Sequence, residues 1–200
     1  MTIAIIFVKS RIDEGCDMRV SKEKAAENRE RILKAASRLI RERGISGAGV
    51  DALTEAAGMT HGSLYSQFGS KERLIEEALN DVIAEKGHEM GEAITLSRYI
   101  SDYLSAEHRD IPGRGCPIAA LCSEMPRQTN GVRQRFTDGL RGMVKQVSSQ
   151  MSPALKQRQR NDVALVTVAS LVGALVLARA VNDLKLSDDI LRATKNKLGS

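Results

Sequence analysis

Apolar residues recur at helical spacing along most of this chain. In the first fifty residues, five positions follow the i, i+3, i+4, i+7, i+8 pattern of an amphipathic helix: Ile32, Ala35, Ala36, Leu39 and Ile40. The pattern predicts a first helix from about Ser21 to Arg43, which Gly44 stops. A second helix is predicted around Val50 and Leu53, where Gly49 stands in the capping position and supplies no side-chain hydroxyl.

The stretch from Gly58 to Lys71 predicts a short helix with two different faces. Gly58 can end the preceding helix in the left-handed conformation, and Thr60 can cap the next one with its hydroxyl. Leu64 and Phe68 are four residues apart, so they share a face that can be buried. The opposite face then presents a His, a Tyr and small polar groups, which suits a DNA groove. Gly69 ends this helix.

The second half of the chain predicts further helices separated by short loops. Helices are expected from Ser70 onward, over 96–104, within Cys116–Met125, over Gly131–Gln150, over Val163–Ala178 and over Leu186–Leu198. The expected fold is therefore all-α, with a three-helix N-terminal head and a larger helical C-terminal domain. The domain boundaries are predicted at 21–70 and 71–200.

Val163–Ala178 is a run of sixteen residues without a charge. A membrane-spanning helix normally needs about twenty apolar residues. A helix that is apolar on all sides is usually buried in a core or in an interface. We therefore expect this segment and the closing helix to form the interface of a homodimer, and we expect no membrane partner.

The composition limits the alternatives. Aromatic residues make up 3% of the chain and Trp is absent, so the core must be aliphatic. The net charge is +5 and the isoelectric point is about 9.2. Between Arg19 and Arg43, nine basic residues stand against four acidic ones, a surplus equal to the net charge of the whole chain. Such a surplus fits either phosphate attraction or an ordinary solvated helix face with i,i+4 pairs.

The cysteines and histidines do not form a catalytic pattern. Three cysteines cannot complete a disulfide framework, which favours a reducing cytoplasm. Cys116 and Cys122 have the wrong spacing for zinc. They are either small buried hydrophobic residues or thiols that sense oxidants or electrophiles, with Cys116 favoured by its place at a helix N-terminus. We expect no enzyme activity, no cofactor and no metal.

The segment from Ala57 to Leu74 resembles the signature of the tetracycline-repressor (TetR) family. The small-Gly, Leu-Tyr, Phe and Ser-Lys positions agree in order and spacing across the turn and both flanking helices. The block Gly115–Leu121, Gly-Cys-Pro-Ile-Ala-Ala-Leu, is similar to one in a subset of C-terminal domains of that family. The resemblance implies a homodimeric transcriptional regulator of the repressor type, which binds a double-stranded DNA operator. It also implies that the protein releases this operator when a small hydrophobic effector binds.

The resemblance also implies which residues carry these roles. Those expected to face DNA are Thr60, His61, Gly62, Ser63, Tyr65, Ser66 and Lys71, with Lys71 on a phosphate. The effector pocket is expected around Tyr99, Tyr103, Cys122, Met125, Phe136 and Met143. The alternative is a cysteine-based redox or electrophile sensor, or a helical binding protein, whose main partner is not DNA.

Residues 1–20 fit nothing downstream. Ile3–Val8 is an apolar run too short to span a bilayer, and it lacks the flanks of a signal peptide. Met18 stands just before what reads as an ordinary start of a family member. We expect either a start-site misassignment at Met18 or a flexible, strand-like arm.

Overall fold

The computed structural model describes the backbone of residues 13–89 and 94–199, and the side chains of residues 23–87 and 94–199. Residues 1–12, with the Ile3–Val8 run, lie outside the described residues. Within the described residues, every regular element is helical. The all-α expectation is confirmed, with an N-terminal helix-turn-helix followed by a larger helical domain.

Three helices form the head: α1 (Asp13–Gly47), α2 (Val50–Ala57) and α3 (His61–Phe68). Helix α1 begins before the predicted start at Ser21, so part of the expected 1–20 extension is helical. Gly44 interrupts α1 with φ 74° and ψ 167°, as its predicted role as a stop implies. A single turn then follows, closed by a 3.0 Å hydrogen bond from Ala48 N to Gly44 O, and leads into α2.

The larger domain begins with α4 (Lys71–Glu89), which connects it to the head. The further elements are α5 (Leu96–Tyr103), α6 (Ala106–Asp110), a 3-10 turn (Pro112–Arg114), α7 (Pro117–Leu121), a second 3-10 turn (Met125–Arg127), α8 (Asn130–Ser149), α9 (Gln157–Ala180) and α10 (Leu184–Leu198). Pro117 occupies the first turn of α7, where its missing N–H would have no partner in any case.

Two groups of buried side chains hold these helices together. The first joins the head to α4 and to the start of α8, and includes Ile40, Leu53, Leu64, Leu79 and Val132. The second lies inside the larger domain, among α5, α8, α9 and α10. Because the first group crosses the boundary predicted at residue 70, the head packs directly on the C-terminal domain.

Helix α9 is buried on one face and exposed on the other. Leu171 and Leu175 are fully buried, whereas Val166 is 65% exposed. Among the described residues, α9 is a helix long and apolar enough, by length and composition alone, to cross a membrane, a test that the core helix of a soluble protein also passes. Its buried face packs against α8 and α10, as expected for a core helix.

Candidate DNA-binding face and effector cavity

The geometry of α3 follows from the local sequence. Gly58 ends α2 in the left-handed conformation, with φ 61° and ψ 42°. The Thr60 hydroxyl accepts a 3.2 Å hydrogen bond from Ser63 N and so caps α3. Leu64 is fully buried and Phe68 is 2% exposed. These two side chains anchor one face of α3 in the core, which turns the other face outward.

The outward face carries most of the residues predicted to meet DNA. Thr60, His61, Gly62, Tyr65 and Ser66 are exposed, and Tyr65 keeps 51% of its surface. Ser63 is half-buried, and its hydroxyl accepts a 2.8 Å bond from Gln67 Nε2. The face is small and polar, with one aromatic ring, and it can approach a groove closely.

Two of the predicted DNA residues also contact parts of the head outside α3 and its cap. His61 Nε2 lies 2.6 Å from Asp51 Oδ1, which links the first turn of α3 to the first turn of α2. Lys71 Nζ donates a 3.3 Å hydrogen bond to Ile45 O, in the turn after Gly44. Lys71 is therefore half-buried and points to the α1–α2 turn, and its contact with a phosphate stays a prediction.

Arg29 holds α3 from the opposite side. Its Nη1 donates a 3.1 Å bond to Gln67 O, at the C-terminal end of α3, and its guanidinium lies over the Phe68 ring at 4.3 Å from the centroid. The same guanidinium pairs with Glu77 on α4. The sequence analysis counted Arg29 only within the basic surplus, because none of its three partners is close in sequence.

Part of that basic surplus is paired on the helix surface. Lys34 lies 2.6 Å from Glu30, and Arg38 lies 2.8 Å from Glu42, both at i,i+4 spacing. Exposed pairs of this kind contribute little to stability, because water and salt screen them. Lys34 and Arg38 therefore fit the interpretation of a solvated helix face with i,i+4 pairs. Their pairing also neutralises some of the charge that could otherwise attract phosphates.

A cavity of about 550 Å³ lies in the larger domain. Its walls come from α4, α5, α6, the first 3-10 turn, α7 and α8. Of the predicted pocket residues, Tyr99, Tyr103 and Met143 line it, and so does Cys116. Apolar residues such as Ile83, Ile111 and Ile118 complete the lining, together with several polar and charged side chains.

Cys122, Met125 and Phe136 do not line this cavity. Helix α7 ends at Leu121, so Cys122 is its C-cap residue and not part of a continuing helix. Met125 is 6% exposed and belongs to the core beneath the head, and Phe136 packs against the same core. The pattern predicted apolar surroundings for Met125 and Phe136, which both have, but it could not say which of two interiors they meet.

The cavity has a polar corner that the sequence analysis missed. His108 Nδ1 donates a 2.8 Å bond to Tyr103 O, and Cys116 N donates a 2.9 Å bond to His108 Nε2. These two bonds together require the neutral imidazole. Burial, the larger cause, and the nearby Arg179 lower the pKa of His108 to about 4. The His108 ring also meets the Tyr103 ring edge-on, with 4.6 Å between centroids.

The Tyr103 hydroxyl is buried without a hydrogen-bond partner among the described residues. Burial and then the nearby Cys116 thiol raise the pKa of Tyr103, so its phenol stays protonated. The thiol and the hydroxyl do not meet normal hydrogen-bond geometry. A buried donor without a partner lowers the stability of the fold by about 1–3 kcal/mol. A ligand with a hydrogen-bond acceptor could bond the Tyr103 hydroxyl and recover this free energy.

Known proteins resemble this chain along most of its length. Residues 32–78 match the model of the bacterial regulatory proteins, tetR family. An HTH-type transcriptional regulator of Mycobacterium tuberculosis is 29% identical over 189 residues, covering 85% of this chain and 93% of that protein. The regulator LmrA of Bacillus subtilis is 27% identical over 162 residues, covering 75% of this chain and 82% of that protein.

Solved structures show the same fold. The reduced form of Escherichia coli NemR superposes with a TM-score of 0.71 at 21% identity, covering 86% of this chain and 95% of that one. The family model and the sequence relatives show that this chain is similar to HTH-type transcriptional regulators of the tetR family, and the solved structure shows the fold alone. The resemblance of the Gly115–Leu121 block to one C-terminal subset stays a prediction. The relatives are regulators and not enzymes.

Proposed function

We propose that the protein is a homodimeric repressor that leaves an inverted-repeat operator when a small effector binds in its C-terminal domain. The observation that carries this proposal is the pairing of two features in one chain: the exposed polar face of α3 and a cavity of about 550 Å³ in the adjoining domain. A cytoplasmic location follows from a DNA partner.

Selection of bound duplexes from a random DNA pool, with the purified protein, tests the operator. An inverted repeat should emerge, since a two-fold dimer places two recognition helices on related half-sites. Its affinity should fall steeply as salt rises, because bound phosphates release counterions. Recovery of no preferred sequence from the pool would contradict the proposal.

The dimer is proposed to form through α9 and α10. Large apolar side chains are exposed along these two helices: Val163, Leu165, Val166, Leu177, Leu184 and Leu186. An apolar patch of this kind marks an interface in a soluble protein. A second copy can cover it with the same patch, which gives a symmetric four-helix contact.

Val166→Glu tests this interface. Val166 is 65% exposed, so a charge there should leave the monomer folded and abolish the dimer. Val172 also lies on α9 but packs against the second core, so a charge at that position would unfold the domain as well. Leu155→Glu is the matched control, since Leu155 is exposed outside the last two helices. Sedimentation should show a monomer for Val166→Glu and a dimer for both Leu155→Glu and the wild type. A dimer of Val166→Glu would refute the interface.

The lining of the cavity indicates the chemistry of the effector. Tyr99, Tyr103 and Met143 offer an apolar surface with protonated hydroxyls, which suits a small, largely hydrophobic or aromatic molecule with a hydrogen-bond acceptor. To release DNA, the effector must bind more tightly to the conformation that cannot bind the operator than to the conformation that can. A shift from mostly bound to mostly free takes about 5.5 kcal/mol of difference between the two states.

Thermal-shift measurements with a panel of small aromatic ketones and phenols test the cavity. Compounds that bind should raise the melting temperature of the wild type. They should not raise that of Met143→Trp, in which the indole fills the space. Equal shifts in both proteins would place the binding elsewhere.

A sensing thiol is the second candidate, because Cys116 lines the cavity and is partly exposed. Cys122 lies outside it, and burial raises the pKa of its thiol, which disfavours the reactive thiolate. Iodoacetamide, whose iodide a thiolate displaces to form a C–S bond, should release DNA from the wild type. It should not release DNA from the Cys116→Ser variant, whereas the Cys122→Ser variant should lose DNA as the wild type does. Release that persists in Cys116→Ser leaves reversible binding as the mechanism.

A further inference from the structure

The segment 111–127, which we call the bridging segment, contacts the cavity on one side and α1 on the other. Gly115, Cys116, Pro117 and Ile118 line the cavity. The same segment also reaches the end of α1 at two separate places. These contacts join the C-terminal domain to the part of the head where α1 is broken.

Glu124 makes the first contact. Its Oε1 accepts a 3.1 Å bond from Ile45 N, and its Oε2 accepts a 2.9 Å bond from Ser46 N. These amides begin the single turn after Gly44, where a new helical turn leaves its first N–H groups without carbonyl partners. A carboxylate in this place acts as an N-cap and interacts favourably with the N-terminal end of the turn. Here the cap comes from the other domain.

The backbone at Gly44 is adapted to this carboxylate. Its φ of 74° lies in the region that favours glycine, and a Cβ at this position would stand 2.2 Å from Glu124 Oε1. The conformation therefore favours glycine, and any Cβ would force the Glu124 carboxylate to move away. Gly44 thus leaves room for the carboxylate to reach the amides of Ile45 and Ser46, the two residues that follow it.

Arg41 makes the second contact, at the other end of α7. Its Nη1 donates a 3.1 Å bond to Gly115 O, and its Nε donates a 3.1 Å bond to Ser37 O within α1. Arg41 is only 8% exposed, so these bonds are shielded from water. The bridging segment is therefore attached to α1 both before and after the break at Gly44.

The capped turn leads directly into the DNA-binding face. It ends at Ala48, Gly49 caps α2, and α3 follows after Gly58. Lys71 Nζ also donates to Ile45 O, within the same turn. The direction of this turn relative to α1 therefore sets where α2 and α3 stand.

We infer that Glu124 is a positioning residue for operator recognition: a carboxylate of the C-terminal domain that fixes α2 and α3 relative to α1. The inference rests on the proposed operator binding. It extends the DNA-binding unit beyond the head to the bridging segment. It also supplies a route for release, since a ligand that displaces the cavity wall at Gly115–Ile118 moves the segment that holds the head.

The test compares Glu124→Ala and Glu124→Gln with the wild type, on the operator selected from the random pool and on a random duplex of equal length. Both variants remove the same negative charge, so a difference between them reports the hydrogen bonds. Glu85→Ala is the matched control, an exposed carboxylate of the same domain, on α4, that does not line the cavity. Amide exchange at Ile45 and Ser46 and circular dichroism complete the measurements.

Glu124→Ala should lose about tenfold or more in operator affinity, keep its affinity for the random duplex and the salt slope, and exchange faster at Ile45 and Ser46. Glu124→Gln should lie in between, because its amide oxygen keeps one acceptor. Glu85→Ala should match the wild type. If Glu124→Ala is too unstable to purify, Glu124→Gln alone must show the intermediate loss.

Two outcomes overturn the inference. One is unchanged operator affinity in Glu124→Ala, whether or not exchange at Ile45 and Ser46 becomes faster, since Glu124 would then be merely structural. The other is an equal change on both duplexes with an altered salt slope, which is a charge effect. Failure of the wild type to select any sequence contradicts the proposed function instead, so the two failures are distinguishable.

Discussion

The head and the C-terminal domain are both built from amphipathic helices, but their interiors differ. Beneath the head, Ile40, Leu53 and Leu64 are fully buried, and none of them lines the cavity of the larger domain. The larger domain keeps a cavity of about 550 Å³ and a Tyr103 hydroxyl that has no hydrogen-bond partner among the described residues. A core of fully buried side chains holds one binding face in one orientation. A domain with unsatisfied contacts retains binding energy that a ligand can use.

The largest expected effect is a contrast between two truncations. Leu64→Ala opens a void among fully buried side chains and should lower the free energy of unfolding by about 2–5 kcal/mol. Met143→Ala enlarges a cavity that already exists, so it should cost at least about 1 kcal/mol less. Urea denaturation measures both. Equal losses would show that the two interiors are equally well packed and would remove the contrast.

Arg29→Ala should have the next largest effect, through α3. The variant loses the bond to Gln67 O and the contact with the Phe68 ring, together worth roughly 2 kcal/mol. Operator affinity should fall about tenfold while the salt slope stays constant, because the guanidinium is already engaged inside the protein.

Arg31→Ala is the control for Arg29, since Arg31 is exposed and bonds Asn28 on its own helix. If Arg29→Ala instead lowers the salt slope by about one unit, Arg29 contacts a phosphate and its positioning role is wrong.

These contacts show which parts of the head could be predicted. The bounds of α2 and α3 follow from Gly58, Thr60 and Gly69, each of which acts on its immediate neighbours. Arg29 and Gln67 are 38 residues apart, and Glu124 and Ile45 are 79 apart. Such contacts carry no local pattern, because a charged side chain on a helix surface looks the same whether its partner is water or another domain.

The cavity of the larger domain was predictable only in part, for a related reason. Helical spacing identifies apolar faces, and Tyr99, Tyr103 and Met143, which it selected, line the cavity. It cannot decide which interior a face meets, so Met125 and Phe136 were assigned to the cavity although they lie beneath the head. His108 escaped notice because its burial depends on Cys116 and Arg179, which only the fold brings to it.

His108 gives a test of a different kind, in which pH is varied and no DNA is needed, for the polar corner of the cavity. Its pKa is about 4 in the folded protein and about 6.5 in the unfolded chain, so the unfolded state binds more protons between these values. The free energy of unfolding should therefore fall as the pH drops from 6.5 towards 4, by on the order of 2–3 kcal/mol from this group.

His108→Gln keeps a donor and an acceptor but does not titrate. Chemical denaturation at a series of pH values should show a shallower loss for the variant across that window. Parallel curves would mean that His108 does not stay neutral in the folded protein, and the tautomer assigned from its two hydrogen bonds would be wrong.

The smallest expected effect comes from Lys71, whose ammonium bonds the head in the structure and is predicted to meet a DNA phosphate. In the structure Lys71 Nζ bonds Ile45 O at 3.3 Å, a partly buried contact that a phosphate would have to replace or share. Lys71→Ala should weaken binding to operator and random duplex alike and flatten the salt dependence by about one unit. Fluorescence anisotropy at several salt concentrations measures both. A change in sequence preference with an unaltered slope would instead mean that Lys71 acts through the Ile45 turn, and it would then join Glu124 as a residue that positions α2 and α3.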